Sequence, residues 1–166
     1  LPEASDDGLI VAYADGVLRR WSVQDKTIVW TTPAHPGVML ALAASSDGKQ
    51  IVTSGYERDI RFWDPETGKE QQKIEGLAWP AQTLAFAAQG DRLAAGFLDG
   101  TVHLWDTDTY KATAVLKGTI GPVSAVQFSP DGAELAVGGS RHVRVWDWRR
   151  KKKVLTLITK MLWVNG

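Results

Sequence analysis

Hydrophobic and polar residues alternate in short runs along the chain, and each run ends at a glycine or a polar turn. The segment 143–146 reads Val-Arg-Val-Trp, and similar runs lie at 60–63 and 102–105. Strict alternation over four to eight residues is typical of a half-buried β-strand. No stretch keeps a helical period of 3.6 over 12 residues, so the pattern predicts an all-β chain with a strand every 8–12 residues.

The runs repeat with a fixed period. Trp-Asp occurs at 63–64, 105–106 and 146–147, and Trp21-Ser22 is a weaker copy, so the tryptophans are 42, 42 and 41 residues apart. Four glycines provide a second, independent series with spacings of 40, 42 and 42, namely Gly8, Gly48, Gly90 and Gly132. Two series with one period predict four structural units.

Each unit is predicted to hold four short strands. The expected boundaries are 1–36, 37–78, 79–120 and 121–160, and residues 161–166 resemble the start of a further first strand. Asp47-Gly48 and Asp131-Gly132 each lie between two strand runs. Asp-Gly between strands favours a type I′ hairpin turn, in which both central residues have positive φ.

The composition argues against several classes of binding site and partner. The 166 residues contain 19 Lys+Arg, 19 Asp+Glu and no cysteine. The chain therefore lacks disulfides and thiolate metal sites. Its balanced charge provides no overall field to attract nucleic acid or anionic lipid, so neither is expected as a partner.

These motifs resemble the WD-repeat β-propeller family. The resemblance rests on Trp-Asp at the end of each third strand, the Ser129–Gly132 turn (Ser-Pro-Asp-Gly) and the period near 42. It implies an all-β propeller of four-stranded antiparallel blades, with four blades in this chain. It also implies a non-catalytic scaffold for protein–protein interaction, without a cofactor.

The family often stiffens a blade with a hydrogen-bonded chain from a histidine through a hydroxyl to the tryptophan indole, together with an acid. By this resemblance the second unit supplies His35, a hydroxyl from Thr53 or Ser54, and the indole of Trp63. Glu57 or Asp59 supplies the acid. The equivalent hydroxyl positions of the third and fourth units hold Ala95 and Val137.

Catalytic and metal sites are not expected. His35, Thr53 or Ser54, and Glu57 or Asp59 have the residue types of a nucleophile, base and acid, but the same residues serve the stiffening network. The three histidines, His35, His103 and His142, are not expected to converge on a metal. The basic run Arg149–Lys153 is interpreted as protection of an exposed edge strand.

The resemblance also implies a partner-binding rim, formed by the loops that enter each blade and by the hairpins between second and third strands. Aromatic residues and arginine, which dominate binding energy at interfaces, occupy this rim. The predicted rim residues are Tyr13, Tyr56, Arg58, Trp79, Phe97, Leu98, Arg141 and His142.

Propellers of this family usually close with seven or eight blades, so four units suggest completion by another chain or by more sequence. Two copies joined head to tail would make an eight-blade ring. The expected ring-closing strand is Met161, Leu162, Trp163 and Val164. The alternatives are a portion of a larger propeller protein whose activity lies elsewhere, a closed four-blade monomer, and an enzymatic or small-molecule-binding propeller. The predicted channel-facing segments 39–42, 83–86 and 124–126 carry no His, Asp, Glu or Lys, which argues against the last.

Overall fold

The computed structural model describes residues 8–119 and 121–158 and is built from antiparallel sheets, with no helix in those ranges. The chain divides into two compact units, residues 1–81 and 82–166. Each unit contains two sheets, in which strands consecutive in sequence are neighbours. The expected all-β architecture of repeated antiparallel blades is confirmed.

The first unit holds a three-stranded and a four-stranded sheet. The three-stranded sheet consists of β1 (Gly8–Ala12), β2 (Val17–Ser22) and β3 (Thr27–Pro33). The four-stranded sheet consists of β4 (Met39–Ala44), β5 (Ile51–Gly55), β6 (Ile60–Trp63) and β7 (Glu70–Ile74). Leu9 pairs with Trp21 in the first sheet as Ile51 pairs with Trp63 in the second. The strands β1, β2 and β3 are therefore equivalent to β5, β6 and β7.

The second unit holds two four-stranded sheets. Its first sheet consists of β8 (Ala81–Phe86), β9 (Arg92–Phe97), β10 (Val102–Asp106) and β11 (Ala112–Leu116). Its second consists of β12 (Ala125–Phe128), β13 (Glu134–Gly138), β14 (His142–Asp147) and β15 (Lys152–Ile158).

Within each unit the sheets pack in the same way. In the first unit, Ile51 and Trp63 of the second sheet lie against Leu18 and Ile10 of the first sheet. In the second unit, residues of the last sheet, including Leu135, Val137 and Trp146, pack with Val102, Leu104 and Ala114 of the sheet before it. The tryptophan-bearing face of the later sheet thus covers the opposite face of the earlier one, and these contacts form the core.

The Asp-Gly turns differ from the predicted type I′ form. Gly132 has φ 66° and Gly48 has φ 70°, whereas Asp131 and Asp47 have negative φ. The central residues of the turn that begins at Ser129 are Pro130 and Asp131, closed by the Gly132 amide donating to the Ser129 carbonyl at 2.8 Å. Proline fixes φ near −65°, so a turn with Pro130 at its first central position cannot be type I′. Gly132, which follows the two central residues, takes the left-handed conformation instead.

Side chains hold both of these turns. The Ser129 hydroxyl and the Ala133 amide donate to Asp131 at 2.5 and 3.0 Å, and the Glu134 amide donates to Ser129 Oγ at 2.9 Å. The Ser129 hydrogen bond is the leading cause that lowers the pKa of Asp131 below its usual value. The turn between β4 and β5 uses Ser45 and Asp47 in the same pattern.

A glycine is required where the hairpin between β1 and β2 meets the next loop. Gly16 has φ 82°, and a Cβ there would lie 2.2 Å from the His35 carbonyl oxygen and 2.4 Å from that of Gly37. Gly48 has a similar φ, but a Cβ there meets no atom within 4 Å.

We therefore expect Gly16→Ala to lower the free energy of unfolding by about 2 kcal/mol, since it combines left-handed strain with a backbone clash. The matched control Gly48→Ala keeps only the strain and should lose about 1 kcal/mol. Urea denaturation of both variants measures the difference. Equal losses would show that the loop of His35 does not press against Gly16.

Within the described ranges no helix has the length and apolar character that crossing a bilayer requires.

Candidate functional site

A chain of buried hydrogen bonds links three side chains of the first unit. The indole Nε1 of Trp63 donates to Thr53 Oγ1 at 2.8 Å, and His35 Nε2 lies 2.7 Å from the same oxygen. All three side chains are buried. Each polar atom in this group has a partner, so the network ties the loop of His35 to β5 and β6 without leaving an unsatisfied group.

Strand alternation decides which hydroxyl takes part. Thr53 shares a face of its sheet with Ile51 and Trp63, whereas Ser54 points to the opposite face. There the Ser54 hydroxyl donates to the Ala81 carbonyl at 2.9 Å. The two candidates therefore have separate roles, and Thr53 is the one that contacts His35.

Two carboxylates approach the other ring nitrogen of His35. Glu57 is hydrogen-bonded to Nδ1, and Asp59 Oδ1 lies 3.7 Å from it. Arg61 pairs with Asp59 Oδ2 at 3.0 Å and with Glu70 at 3.3 Å. The part that Arg61 plays could not be predicted from its sequence position, because an arginine on a strand gives no sign of its partner.

Opposing effects set the pKa of Glu57. Partial burial acts to raise it, but the hydrogen bonds from the backbone and from His35, together with the charges of His35 and Arg61, hold the pKa below its usual value. Glu57 is therefore an ionised partner for His35 near neutral pH.

The ligand atoms of His35, Glu57 and Asp59 lie within 4.8 Å of one another, close enough for three ligands of one cation. Arg61 already supplies a positive charge to both carboxylates. Asp59 Oδ1 is buried without a hydrogen-bond partner among the described residues. Hydrogen bonds and an ion pair engage both ring nitrogens of His35, Glu57 and the other oxygen of Asp59, which favours a network that fixes the hairpin.

The fourth sheet lacks an equivalent network. Val137 holds the position of Thr53, and the indole Nε1 of Trp146 is buried with no hydrogen-bond acceptor among the described residues. His142 Nε2 and the Nε and Nη1 atoms of Arg144 are buried and unpaired as well. Of these two sheets, the second therefore has the better-satisfied polar interior.

The hairpin between β5 and β6 presents two predicted rim residues to solvent. The side chain of Tyr56 is 59% exposed, and Arg58 is exposed as well. The Leu77 amide donates to the Arg58 carbonyl at 3.2 Å, which joins this hairpin to the loop that carries Trp79, itself 47% exposed. Tyr56, Arg58 and Trp79 together are named the hairpin patch below.

The other predicted rim residues differ in accessibility. Phe97 and His142 are only 3% and 6% exposed, so we remove them from the predicted surface. Phe97 is covered because it packs against His103 with ring centroids 4.8 Å apart, and His142 is the first residue of β14 instead of a hairpin tip. Leu98 and Arg141 are exposed, and Tyr13 is half-buried beneath the Arg19 guanidinium.

The first sheet leaves its tryptophan-bearing face open. Leu9, Trp21 and Ile28 form one row across β1, β2 and β3. Leu9 and Ile28 are 54% and 46% exposed and Trp21 is half-buried, whereas the residues equivalent to Leu9, Ile51 and Leu135, are 1% and 0% exposed. We call this row the leading face.

The last sheet exposes the face that points away from its tryptophan, Trp146. Ala136, Val145 and Leu155 form a row, and Val143 and Leu157 form the next one. Leu155 and Leu157 are about half exposed. These five residues are named the trailing face. Within each unit, a face of this kind is covered by a tryptophan-bearing face.

A cleft of about 270 Å³ runs beside β1, which is the edge strand of its sheet among the described residues. Its lining is mostly apolar and consists of Gly8, Ile10, Leu42, Ala43, Ala44 and Ile51. The predicted ring-closing strand, Met161, Leu162, Trp163 and Val164, lies outside the described residues and remains a prediction.

The basic run also has local contacts. The Arg149 guanidinium lies 4.5 Å from the Trp148 ring centroid and donates to the Gly132 carbonyl, and Arg150 pairs with Asp147. Lys152 and Lys153 are exposed on β15, an edge strand of its sheet. This placement agrees with the interpretation that the lysines protect an edge.

Comparison with known proteins identifies the repeat. The family model described as "WD domain, G-beta repeat" matches residues 26–64, 70–106 and 110–147, which is more than half of the chain. A probable inactive protein kinase of Dictyostelium discoideum is 30% identical over 79 residues, 47% of this chain. Human WD repeat-containing protein 3 is 27% identical over 70 residues, 42% of the chain. Mouse cilia- and flagella-associated protein 52 is 32% identical over 68 residues, 40% of the chain.

The matched segments span only 6%, 7% and 11% of these three relatives. The similarity therefore concerns the repeats and not the activities of the whole proteins. The repeat matches, the 42-residue period and the antiparallel sheets agree: the chain belongs to the WD-repeat family of β-propeller proteins.

Proposed function

We propose that this chain is a non-catalytic scaffold for protein–protein interaction and that the hairpin patch contacts a partner. The observation that supports this most is the exposure of two aromatic side chains and an arginine on loops that a backbone hydrogen bond joins. Large aromatic side chains and arginine supply much of the binding energy at protein interfaces. The residues that resemble a catalytic set are engaged with one another in the network of His35.

Affinity capture tests this function. We expect the double variant Trp79→Ala/Arg58→Ala to lose partners that the wild-type chain retains from a lysate of the source organism, identified by mass spectrometry. The control Val23→Ala/Lys49→Ala alters exposed residues of two turns outside the patch and should retain them. Retention of the same partners by both double variants would contradict a role for the patch.

We further propose that two copies associate head to tail. The leading face of one copy would cover the trailing face of the other and repeat the packing that each unit uses internally. The cleft beside β1 would accept residues 161–164 of the second copy as an added strand, since an edge strand with apolar surroundings is a ready template for pairing. An eight-blade ring with two-fold symmetry is the closed form of such an assembly.

The same open faces suit a portion of a longer propeller protein, in which neighbouring blades of one chain would cover them. The relatives, of which the matched segments span a small part, are long enough for such an arrangement. The two arrangements bury the same faces and differ in the source of the covering blade, which the mass of the purified chain distinguishes.

A further inference from the structure

The backbone of the hairpin between β5 and β6 is strained at Arg58, its exposed cationic residue. Arg58 has φ 64°, in the left-handed region that costs an ordinary L-residue about 1–2 kcal/mol. Such strain persists where the surrounding structure imposes it, and it is concentrated at functional positions.

Two other hairpins, between β1 and β2 and between β9 and β10, have the same geometry but carry glycine at this position and are not strained. In each, the amide of the left-handed residue donates to the carbonyl three residues earlier: Gly16 to Tyr13, Arg58 to Gly55, and Gly100 to Phe97. Gly16 and Gly100 have φ 82° and 81°. Glycine fits this position without strain. Lys26, Tyr110 and Lys151 are also left-handed, but they lie in the turns that lead into the last strand of their sheets. Among these three hairpins, Arg58 is the residue that replaces a glycine.

The buried network fixes the rest of this hairpin. Glu57 is paired with His35, and Asp59 with Arg61, so the residues on either side of Arg58 point inward. Tyr56 and Arg58 alternate with them and point to solvent. The hairpin therefore holds an aromatic ring and a guanidinium in place before any partner arrives, which lowers the entropy cost of binding.

The charges around Arg58 select the partner. Glu57 is hydrogen-bonded to His35 and Asp59 is paired with Arg61, and among the described residues no carboxylate is paired with Arg58. A guanidinium with free donors suits a carboxylate, which it can bind through two parallel hydrogen bonds. The aromatic side chains Tyr56 and Trp79 suit an apolar residue beside that carboxylate.

We infer that the hairpin patch is a preformed receptor for an acidic peptide segment, in which Arg58 binds an Asp or Glu side chain and Tyr56 and Trp79 hold an adjacent apolar residue. This inference rests on the proposed scaffold function and names the chemistry of its partner. The strain at Arg58 is then retained because the guanidinium is needed at this place.

The test is selection from a phage-displayed library of random 12-residue peptides on the immobilised full chain, followed by titration of single labelled peptides. We expect enriched peptides to carry Asp or Glu beside an aromatic or aliphatic residue. Arg58→Gly should weaken their binding at least tenfold and, because it relieves the strain, should raise the unfolding midpoint. Arg58→Lys should retain part of the affinity.

The inference is overturned if the selected peptides bind wild type and Arg58→Gly equally well. It is also overturned if the selection enriches neutral or basic peptides, or if it enriches no peptide at all. Arg58-dependent binding of heparin or RNA, in the absence of acidic peptide binding, would overturn the peptide assignment. If captured partners depend on Trp79 but not on Arg58, the scaffold function stands and this inference fails. If the capture of partners depends on neither residue, the scaffold role of the patch is contradicted, and the peptide inference that rests on it fails as well.

Discussion

Thr53→Val is expected to lower the free energy of unfolding by about 3 kcal/mol. The substitution keeps the shape of the side chain but removes the one oxygen that contacts both His35 and Trp63. Each buried polar group left without a partner costs about 1–3 kcal/mol, and two such groups would remain. Chemical denaturation followed by tryptophan fluorescence measures the loss.

The matched control is Thr53→Ser, which removes a methyl group and keeps the hydroxyl. It should cost about 1 kcal/mol, the value of one buried methyl group. Ser54→Ala is a second control, because that hydroxyl contacts only the Ala81 carbonyl on the other face of the sheet, and its loss should also be near 1 kcal/mol. A Thr53→Val variant no less stable than Thr53→Ser would show that the network does not stabilise this sheet.

The second large effect is expected on association. In the proposed head-to-tail dimer, Leu157→Asp should raise the dissociation constant at least about a hundredfold, since a carboxylate would have to be buried without a partner, at a cost of about 3 kcal/mol or more. Leu157 is about half exposed on the trailing face, so the fold of the single chain should tolerate the substitution. Sedimentation over a range of concentrations measures the shift.

Val23→Asp serves as the control for this variant. Val23 is as exposed as Leu157 but lies in the turn between β2 and β3, outside both faces. It should leave association unchanged. If the two variants dissociate alike, or if neither does, the trailing face is not the contact.

The sequence predicts the architecture well because the period is carried by residues with a fixed structural task. Trp63, Trp105 and Trp146 close the third strands of their sheets and are almost fully buried, so their spacing reports the size of the unit. Trp21 has the same place in the sequence but remains half-buried, because among the described residues no other sheet of its own unit packs on that face. That difference depends on a neighbour and cannot be read from the residue.

Local backbone geometry was harder to predict. The type I′ prediction, with Asp131 and Gly132 as the two central residues, was wrong because Asp131 has negative φ. The left-handed conformation of Arg58 carries no residue signal of its own. An alignment of the hairpins would have indicated it, since Gly16 and Gly100 occupy the same position.

The candidate site was predictable in its members and not in its details. The types and spacing of His35, Thr53 and Trp63 follow from the repeat, and strand alternation alone places Thr53 instead of Ser54 beside Trp63. Burial of Phe97 and His142 was missed, because a hairpin boundary that shifts by one or two residues turns a predicted surface side chain inward.

Head-to-tail association is tested most directly by the mass of the purified wild-type chain in solution, from light scattering coupled to gel filtration. With the leading and trailing faces as the contact, we expect a soluble dimer with twice the 18.2 kDa mass of the chain. A stable monomer of 18.2 kDa that remains soluble at high concentration would contradict it.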